Sequence, residues 1–425
     1  METLYERALK VIPPVGMARY TKLGVVKGIG SYIYTDDGRK ILDFVMGIGA
    51  NNVGHNHPLV VEAARKQMEN LIHGGHNVVY YESYVALAEK LTEAVGDSMI
   101  YFSNSGSEAN DGAIKLAKCA TERPAIISFM GAFHGRTMGA MALTASNSAY
   151  RKHYEGMIPS IYFAHYPDLY HSVVPVADGK CPDFYMDQFK TIFDTIVDPY
   201  SVAGIIMEPE QGEGGYIVPP KEFVQFMRDL CDTYGIMLIF DEVQCGNGRT
   251  GKLYCQEHFG VKPDIFSTAK GIGAGFPLSA VFGKKDVMEK WLPGAHGGTF
   301  GGNPVACAAG LASLHILLGG AIDNAAAMGQ YFKGQLEELQ KKYPVIGDVR
   351  GLGLMLAIEL VKDNKVPDTA LTSRIIETAL EKGLLLINCG TYHNAIRFIP
   401  PCTVCKEEID EAMTILDSAF SECLS

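Results

Sequence analysis

Short apolar runs separated by stretches of helical periodicity dominate the middle of the chain. Ala125-Ile126-Ile127-Ser128-Phe129, Gly204-Ile205-Ile206-Met207 and Gly235-Ile236-Met237-Leu238-Ile239-Phe240 are continuous and β-rich. Such runs, alternating with helices between about residues 56 and 304, predict an α/β fold whose mostly parallel sheet is covered on both faces. Upstream, Ser31-Tyr32-Ile33-Tyr34 alternates, Asp36-Asp37-Gly38-Arg39 turns, and Ile41-Leu42-Asp43-Phe44 resumes, so short strands are expected there. From about Pro304 two long helical patterns frame Gly353–Leu360 and Gly383–Ile387, which read as strands of a second, smaller sheet. Residues 167–187 are irregular and proline-bearing, the signature of a surface excursion.

Composition narrows the partners. A chain of 425 residues is long enough for more than one domain, and shares of 47% apolar and 20% charged residues fit an ordinary globular protein. A net charge of −11 argues against nucleic acid, whose phosphates demand a basic face. Ten scattered cysteines, an N-terminal stretch Met1–Arg7 without an apolar core, and no apolar run long enough to span a bilayer lead to the expectation of a cytoplasmic protein away from membranes. No metal site is expected. Cys402-Thr403-Val404-Cys405 has no second ligand pair, and His55-Asn56-His57 and His73-Gly74-Gly75-His76 lack a third ligand. The glycines of Gly271-Ile272-Gly273-Ala274-Gly275 follow a lysine rather than a strand, which speaks against dinucleotide binding.

That lysine carries the candidate chemistry. Lys270 lies in Ser267-Thr268-Ala269-Lys270-Gly271, and an amine forms a Schiff base with a carbonyl compound such as pyridoxal phosphate when its surroundings lower its pKa. Such a coenzyme needs a carboxylate facing its pyridine nitrogen and a backbone cradle for its phosphate. Asp241, the first polar residue after an apolar strand, is the candidate carboxylate; a plain helix cap is the alternative. Ser103-Asn104-Ser105-Gly106-Ser107-Glu108-Ala109-Asn110 opens a helix running to about Ala120 and is the candidate cradle, with an ordinary Ser105/Glu108 capping box as its alternative. Phe133 offers an aromatic face to stack on a planar heterocycle, with core packing as the alternative, and Arg136 a fork for a substrate carboxylate. Glu208-Pro209-Glu210-Gln211-Gly212-Glu213 follows a strand and brings acids to the same rim, and Thr299 stands in a glycine-rich loop as a candidate hydrogen-bond donor to phosphate, a mere turn being the alternative. Arg397 sits in an apolar strand-like stretch, so it is paired with an acid or binds one.

As a set, these residues resemble the class III pyridoxal-phosphate-dependent aminotransferases, from about Tyr20 to the C-terminus. The stretches that carry the likeness are Gly54-His55-Asn56-His57-Pro58, Ser105–Ala109, Phe133–Thr137, Glu208-Pro209 with Gln211–Gly215, Asp241-Glu242-Val243-Gln244, and the Lys270 segment. Within the class the chain is most similar to 4-aminobutyrate aminotransferases, through Arg136, Glu213, and Cys389–Asn394 leading into Arg397.

The resemblance implies fold type I. Residues 56–304 would form the large cofactor-binding domain, with 1–55 and 305–425 a smaller α+β domain. It implies that Lys270 binds pyridoxal 5′-phosphate and shuttles the proton, that Asp241 pairs with the ring nitrogen, and that Val243 and Phe133 sandwich the ring. Gln244 would contact the ring oxygen, Glu208 would belong to the cofactor shell, and Gly106 and Ser107 would bind phosphate with Thr299 of a second subunit of a homodimer. Arg136 would hold the distal carboxylate, Glu213 would mask Arg397, and Ile48 and Asn77 would line the substrate pocket. The activity implied is transfer of an amino group from 4-aminobutyrate or a similar ω-amino acid to 2-oxoglutarate or pyruvate. His165–Tyr170 and the run from Asn104 to Asp111 also resemble the amino-acid racemases and epimerases of the same class, which is the alternative activity. Phe133 stands where tyrosine is frequent, and Glu210 where an apolar residue is usual.

Overall fold

The runs that read as strands pair in three sheets. The computed structural model describes residues 2–18, 20–177 and 179–425. Near the N-terminus, Val25–Ile29 (β1), Tyr32–Thr35 (β2) and Lys40–Asp43 (β3) form antiparallel neighbours. Seven strands follow: Met99–Ser103 (β4), Ala125–Phe129 (β5), Ile161–Ala164 (β6), Val202–Met207 (β7), Met237–Asp241 (β8), Ile265–Thr268 (β9) and Ser279–Gly283 (β10). They make one sheet in the order β4-β10-β9-β8-β7-β5-β6, parallel throughout except at β10.

The apolar continuity of these strands reflects burial on both sides. Successive residues point to opposite faces. Ile126, Ile206 and Ile239 therefore pack against Ala109, Ala113 and Leu116 of the helix Gly106–Thr121. Ile127, Ile205, Met207 and Phe240 pack on the other face with Phe223, Val224 and Met227 of the helix Lys221–Tyr234.

The remaining strands are Ile346–Leu352 (β11), Met355–Leu360 (β12), Leu384–Leu385 (β13), Ile387–Cys389 (β14) and Ala395–Phe398 (β15). They correct one expectation, because Gly353–Leu360 and Gly383–Ile387 do not share a single sheet. The second run breaks at Leu386. β13 adds in parallel to β3, completing a four-stranded sheet with the N-terminal strands, whereas β14 joins the sheet β11-β12-β15-β14. Local apolarity cannot tell a strand which edge it will meet.

The 167–187 stretch also departs from a pure surface excursion. Phe184–Asp187 opens the helix Phe184–Thr195, Cys181 and Tyr185 are buried, and His171 reaches Glu359 of β12. A helical run, Pro304–Lys342, contains a window of mean hydropathy 1.9, half of it buried within the protein. Its first part, Pro304–Ile316, packs against the helices Pro58–Asn70 and Glu82–Val95.

Candidate active site

The carboxyl ends of β4, β5, β7, β8 and β9 open on one cavity of about 380 Å³. Chain direction explains the convergence: strands running the same way deliver their last residues, and the loops that follow, to one edge of the sheet. Asp241 closes β8, and Glu208 follows β7. Lys270 begins a short 3-10 turn just beyond β9 and holds a left-handed φ of 49°. Gly106 and Ser107 open the helix after β4, and Phe133 and Arg136 lie in the loop after β5. All seven line the cavity, as do Val243, Gln244 and Glu213.

Asp241 is buried and held from several sides. Its Oδ2 accepts from Asn110 Nδ2 at 2.7 Å and meets His134 Nδ1 at 2.7 Å, while Oδ1 accepts from the Val243 amide at 2.9 Å. Asn110 Oδ1 in turn accepts from Ser267 Oγ at 2.5 Å. Such a cage sets the carboxylate's direction before any ligand arrives. Asn110 and His134 lie in stretches the sequence marked, but no pattern gave either of them a role. They lie far from Asp241 along the chain; the packing of the Gly106–Thr121 helix on β8 brings Asn110 to it, and the loop after β5 brings His134.

Burial pulls the Lys270 amine down to about 8; Asp241 opposes that fall and Arg397 adds to it. Glu208 grips the chain around the site, its Oε1 accepting from the Phe133 amide at 2.9 Å and Oε2 from the Gly212 amide at 2.8 Å. Burial raises Glu208 to about 7, with His134 acting against the rise.

The mouth of the Gly106–Thr121 helix combines capping with a cradle. Ser105 Oγ accepts from the Glu108 amide, and Glu108 reaches back to the Asn104 amide at 2.8 Å. The amides of Gly106 and Ser107 have no intrahelical partner and sit at the cavity wall, where the helix dipole favours an anion. Ser107 Oγ accepts from the Arg136 amide at 2.8 Å. A Cβ on Gly135, whose φ is 135°, would stand 2.0 Å from that oxygen, so only glycine lets the two loops meet.

Two arginines sit in contrasting states. Arg136 is exposed, its guanidinium carbon 3.9 Å from the Tyr150 ring centre. Arg397, on β15, is buried and forms a 3.0 Å ion pair with Glu213, whose other oxygen accepts from Tyr150 Oη at 2.7 Å. Tyr150 thus touches both halves of the arrangement, a role its sequence neighbourhood did not signal.

Four expected residues, Thr299, Asn77, Ile48 and Arg397, lie outside the cavity wall of this single chain. Thr299 and Asn77 are exposed on loops, and Ile48, in a left-handed turn at φ 59°, is 36% exposed. Arg397 reaches the cavity only through Glu213. Three histidines of these pairs have other partners: His55 meets Asp43 at 2.8 Å, His57 caps the helix Pro58–Asn70, and His76 bonds the Gly301 carbonyl at 2.8 Å. A second cavity, of about 390 Å³, opens at the amino ends of β4 and β9, between Asp97, Tyr254, Phe266 and the Asp264–Lys284 ion pair, away from Lys270.

The family profile described as aminotransferase class-III matches residues 16–420. The chain belongs to the class III aminotransferases. It is 40% identical to a 5-aminovalerate aminotransferase of Pseudomonas aeruginosa, over 99% of this chain and 98% of that one. It is 39% identical to the 4-aminobutyrate aminotransferase of Escherichia coli, with the same coverage. Among solved structures, an amine transaminase from an uncultivated Pseudomonas species, in its PLP-bound form, superposes with a TM-score of 0.88 at 32% identity, covering 97% of this chain and 99% of that one.

Class III aminotransferases depend on pyridoxal 5′-phosphate, and the residues of this one fit that group. The cavity presents one amine of lowered basicity, one caged carboxylate and two free helix-mouth amides. Gln244 Oε1, in the same wall, is buried without a partner, an orphan that a polar ligand atom would satisfy.

Proposed function

We propose that this aminotransferase moves the terminal amino group of a short ω-amino acid, of the 4-aminobutyrate or 5-aminovalerate type, to a 2-oxo acid such as 2-oxoglutarate or pyruvate. The observation that carries the reading is the pair of arginines: Arg136 open and stacked on Tyr150, Arg397 covered by Glu213. An ω-amino acid has a carboxylate far from the reacting amine and none beside it. Arg136 is available for the former, while the Glu213 carboxylate neutralises the guanidinium that would otherwise wait for the latter. Glutamate carries both carboxylates, and its binding requires Glu213 to swing aside and free Arg397.

When bound, the cofactor supplies an electrophilic carbonyl carbon and an electron sink. Lys270 would hold the cofactor at that carbon, and once released its amine is placed to take a proton from the substrate carbon and to give it back. Asp241, held in place by Asn110 and His134, would face the ring nitrogen. Phe133 and Val243 would flank the ring and Gln244 would meet its oxygen, while Glu208 fixes the loops around them. Gly106 and Ser107 receive the phosphate, together with Thr299 from a second copy in a homodimer; the exposure of Thr299 and Asn77 in one chain supports that assembly. Ile48 belongs to the substrate entrance. The compartment proposed is the cytoplasm.

The test is a panel of donors from 4-aminobutyrate through 5-aminovalerate to lysine and a simple ω-amine, with 2-oxoglutarate or pyruvate as acceptor. Arg136→Ala should raise KM for the ω-amino acids at least tenfold more than for the amine. Equal effects would remove Arg136 from the carboxylate site. Inversion of a single amino-acid enantiomer without any oxo acid, and without conversion of the cofactor to its amine form, would replace the reading with racemisation.

A further inference from the structure

Arg350 of β11 and Arg397 of β15 occupy one row of the same sheet, because Arg350 is paired with Ala357 and Ala357 with Arg397. Residues paired this way project to the same face. Both side chains grip the loop after β7. Arg397 takes the Glu213 carboxylate at 3.0 Å, and Arg350 Nε donates to the Gly215 carbonyl at 2.7 Å. Gly215 has a φ of 128°, and a Cβ there would stand 3.2 Å from the Arg350 guanidinium, so the close approach depends on glycine. The turn before β15 adds a third hold, the Gly390 amide donating to the Glu213 carbonyl at 2.9 Å.

Arg350 itself is fixed from behind. Its Nη1 meets Glu359 at 2.6 Å and Asp348 at 2.9 Å, and Glu359 also accepts from Asn394 at 3.1 Å and meets His171 at 2.5 Å. The Arg350 and Glu359 side chains are only 12% and 4% exposed, so the charges are desolvated and the geometry is stiff. Tyr170, beside His171, packs on the strand, its hydroxyl 2.2 Å from where a Cβ on Gly347 would be. None of these groups borders the cavity.

We infer that Arg350 is a positioning residue for substrate specificity: it anchors the backbone beneath Glu213, so that the Glu213–Arg397 pair opens by side-chain rotation over a fixed loop. The inference rests on the two-arginine reading above. Without the anchor, closing the ion pair must also order the loop, so the masked state is disfavoured. An ω-amino acid then meets an uncompensated guanidinium, while glutamate, which needs the open state, is spared.

The experiment compares Arg350→Lys, which keeps the charge opposite Glu359 but lacks the Nε–H and the planar fork, with the parent holoenzyme and with Glu213→Gln. Each half-reaction is followed separately through the cofactor spectrum. Arg350→Lys should lower kcat/KM for 5-aminovalerate at least tenfold, mainly through KM, and leave glutamate within about threefold, the direction also expected of Glu213→Gln. Hydrogen exchange of the amides in 211–217 should rise in Arg350→Lys, with the apparent Tm within a few degrees of the parent. Equal loss in both half-reactions, or no loss in either, overturns the inference, as does unchanged exchange in that loop. The exchange measurement needs no substrate, so it decides on the anchor even if the parent turns over no ω-amino acid, a result that would instead overturn the substrate assignment.

Discussion

In protein stripped of its cofactor, acylation of the Lys270 amine should titrate far below an ordinary lysine. Burial drives the amine from 10.5 to about 8, with Asp241 resisting and Arg397 assisting. At pH 7 a base with a pKa of 8 is unprotonated in about 9% of molecules, against about 0.03% at 10.5, a roughly 300-fold larger nucleophilic fraction. The measurement is pulse labelling with an amine-specific acylating reagent from pH 6 to 10, read by mass spectrometry of the peptide containing Lys270. The rate should rise about tenfold per pH unit and level off near 8. Arg397→Met removes a repelling charge and should move the midpoint up, whereas Asp241→Asn removes an attracting one and should move it down. A midpoint near 10.5 in the folded, cofactor-free protein refutes the reasoning, as does a midpoint that ignores both substitutions.

Lys270→Ala should still bind pyridoxal phosphate through Gly106, Ser107 and Asp241 while turnover falls at least about 10²–10⁴-fold, the range for losing a placed acid–base group alone; substantial residual turnover of the ω-amino donor would remove Lys270 from its role. Glu210 is fully buried, neither carboxyl oxygen has a partner in good hydrogen-bond geometry, and burial holds its pKa well above the carboxylate range against the weaker pull of the nearby Leu352 amide, Lys333 and Arg350. Glu210→Met should therefore stabilise the protein by roughly 1–3 kcal/mol, the relief of an unsatisfied buried polar group. The gain should grow with pH: an acid whose folded pKa is raised contributes its stability fully below its unfolded value near 4.5 and loses it as pH rises toward the folded value. Differential scanning calorimetry of both proteins from pH 5 to 8 checks this, and a pH-independent difference would mean Glu210 is already ionised.

Much of the architecture is written in local pattern. Continuous apolar runs such as Ile236–Phe240 require burial on two faces, and a sheet between helices is the economical way to provide it. The helix start at Ser105–Gly106 was legible for a similarly local reason, since small capping residues and Glu108 act within one turn. Lys270 and Asp241 stood out because each follows an apolar strand, which in a parallel sheet places it at the ligand edge.

Contacts between distant segments were not legible. The cage of Asn110, His134 and Ser267 around Asp241 and the Arg350 hold on Gly215 join residues more than a hundred positions apart, and the Tyr150 ring meets Arg136 across an intervening helix. The break at Leu386 that sends β13 and β14 to different sheets, and the helical start at Phe184, were likewise decided by which surfaces were left to cover. The chain alone determined which residues are candidates for the chemistry and where most of the apolar strands run, because side-chain type and period act over a few residues. Only tertiary packing decided what surrounds the reactive groups, since desolvation and hydrogen-bond direction depend on neighbours that the linear order does not specify.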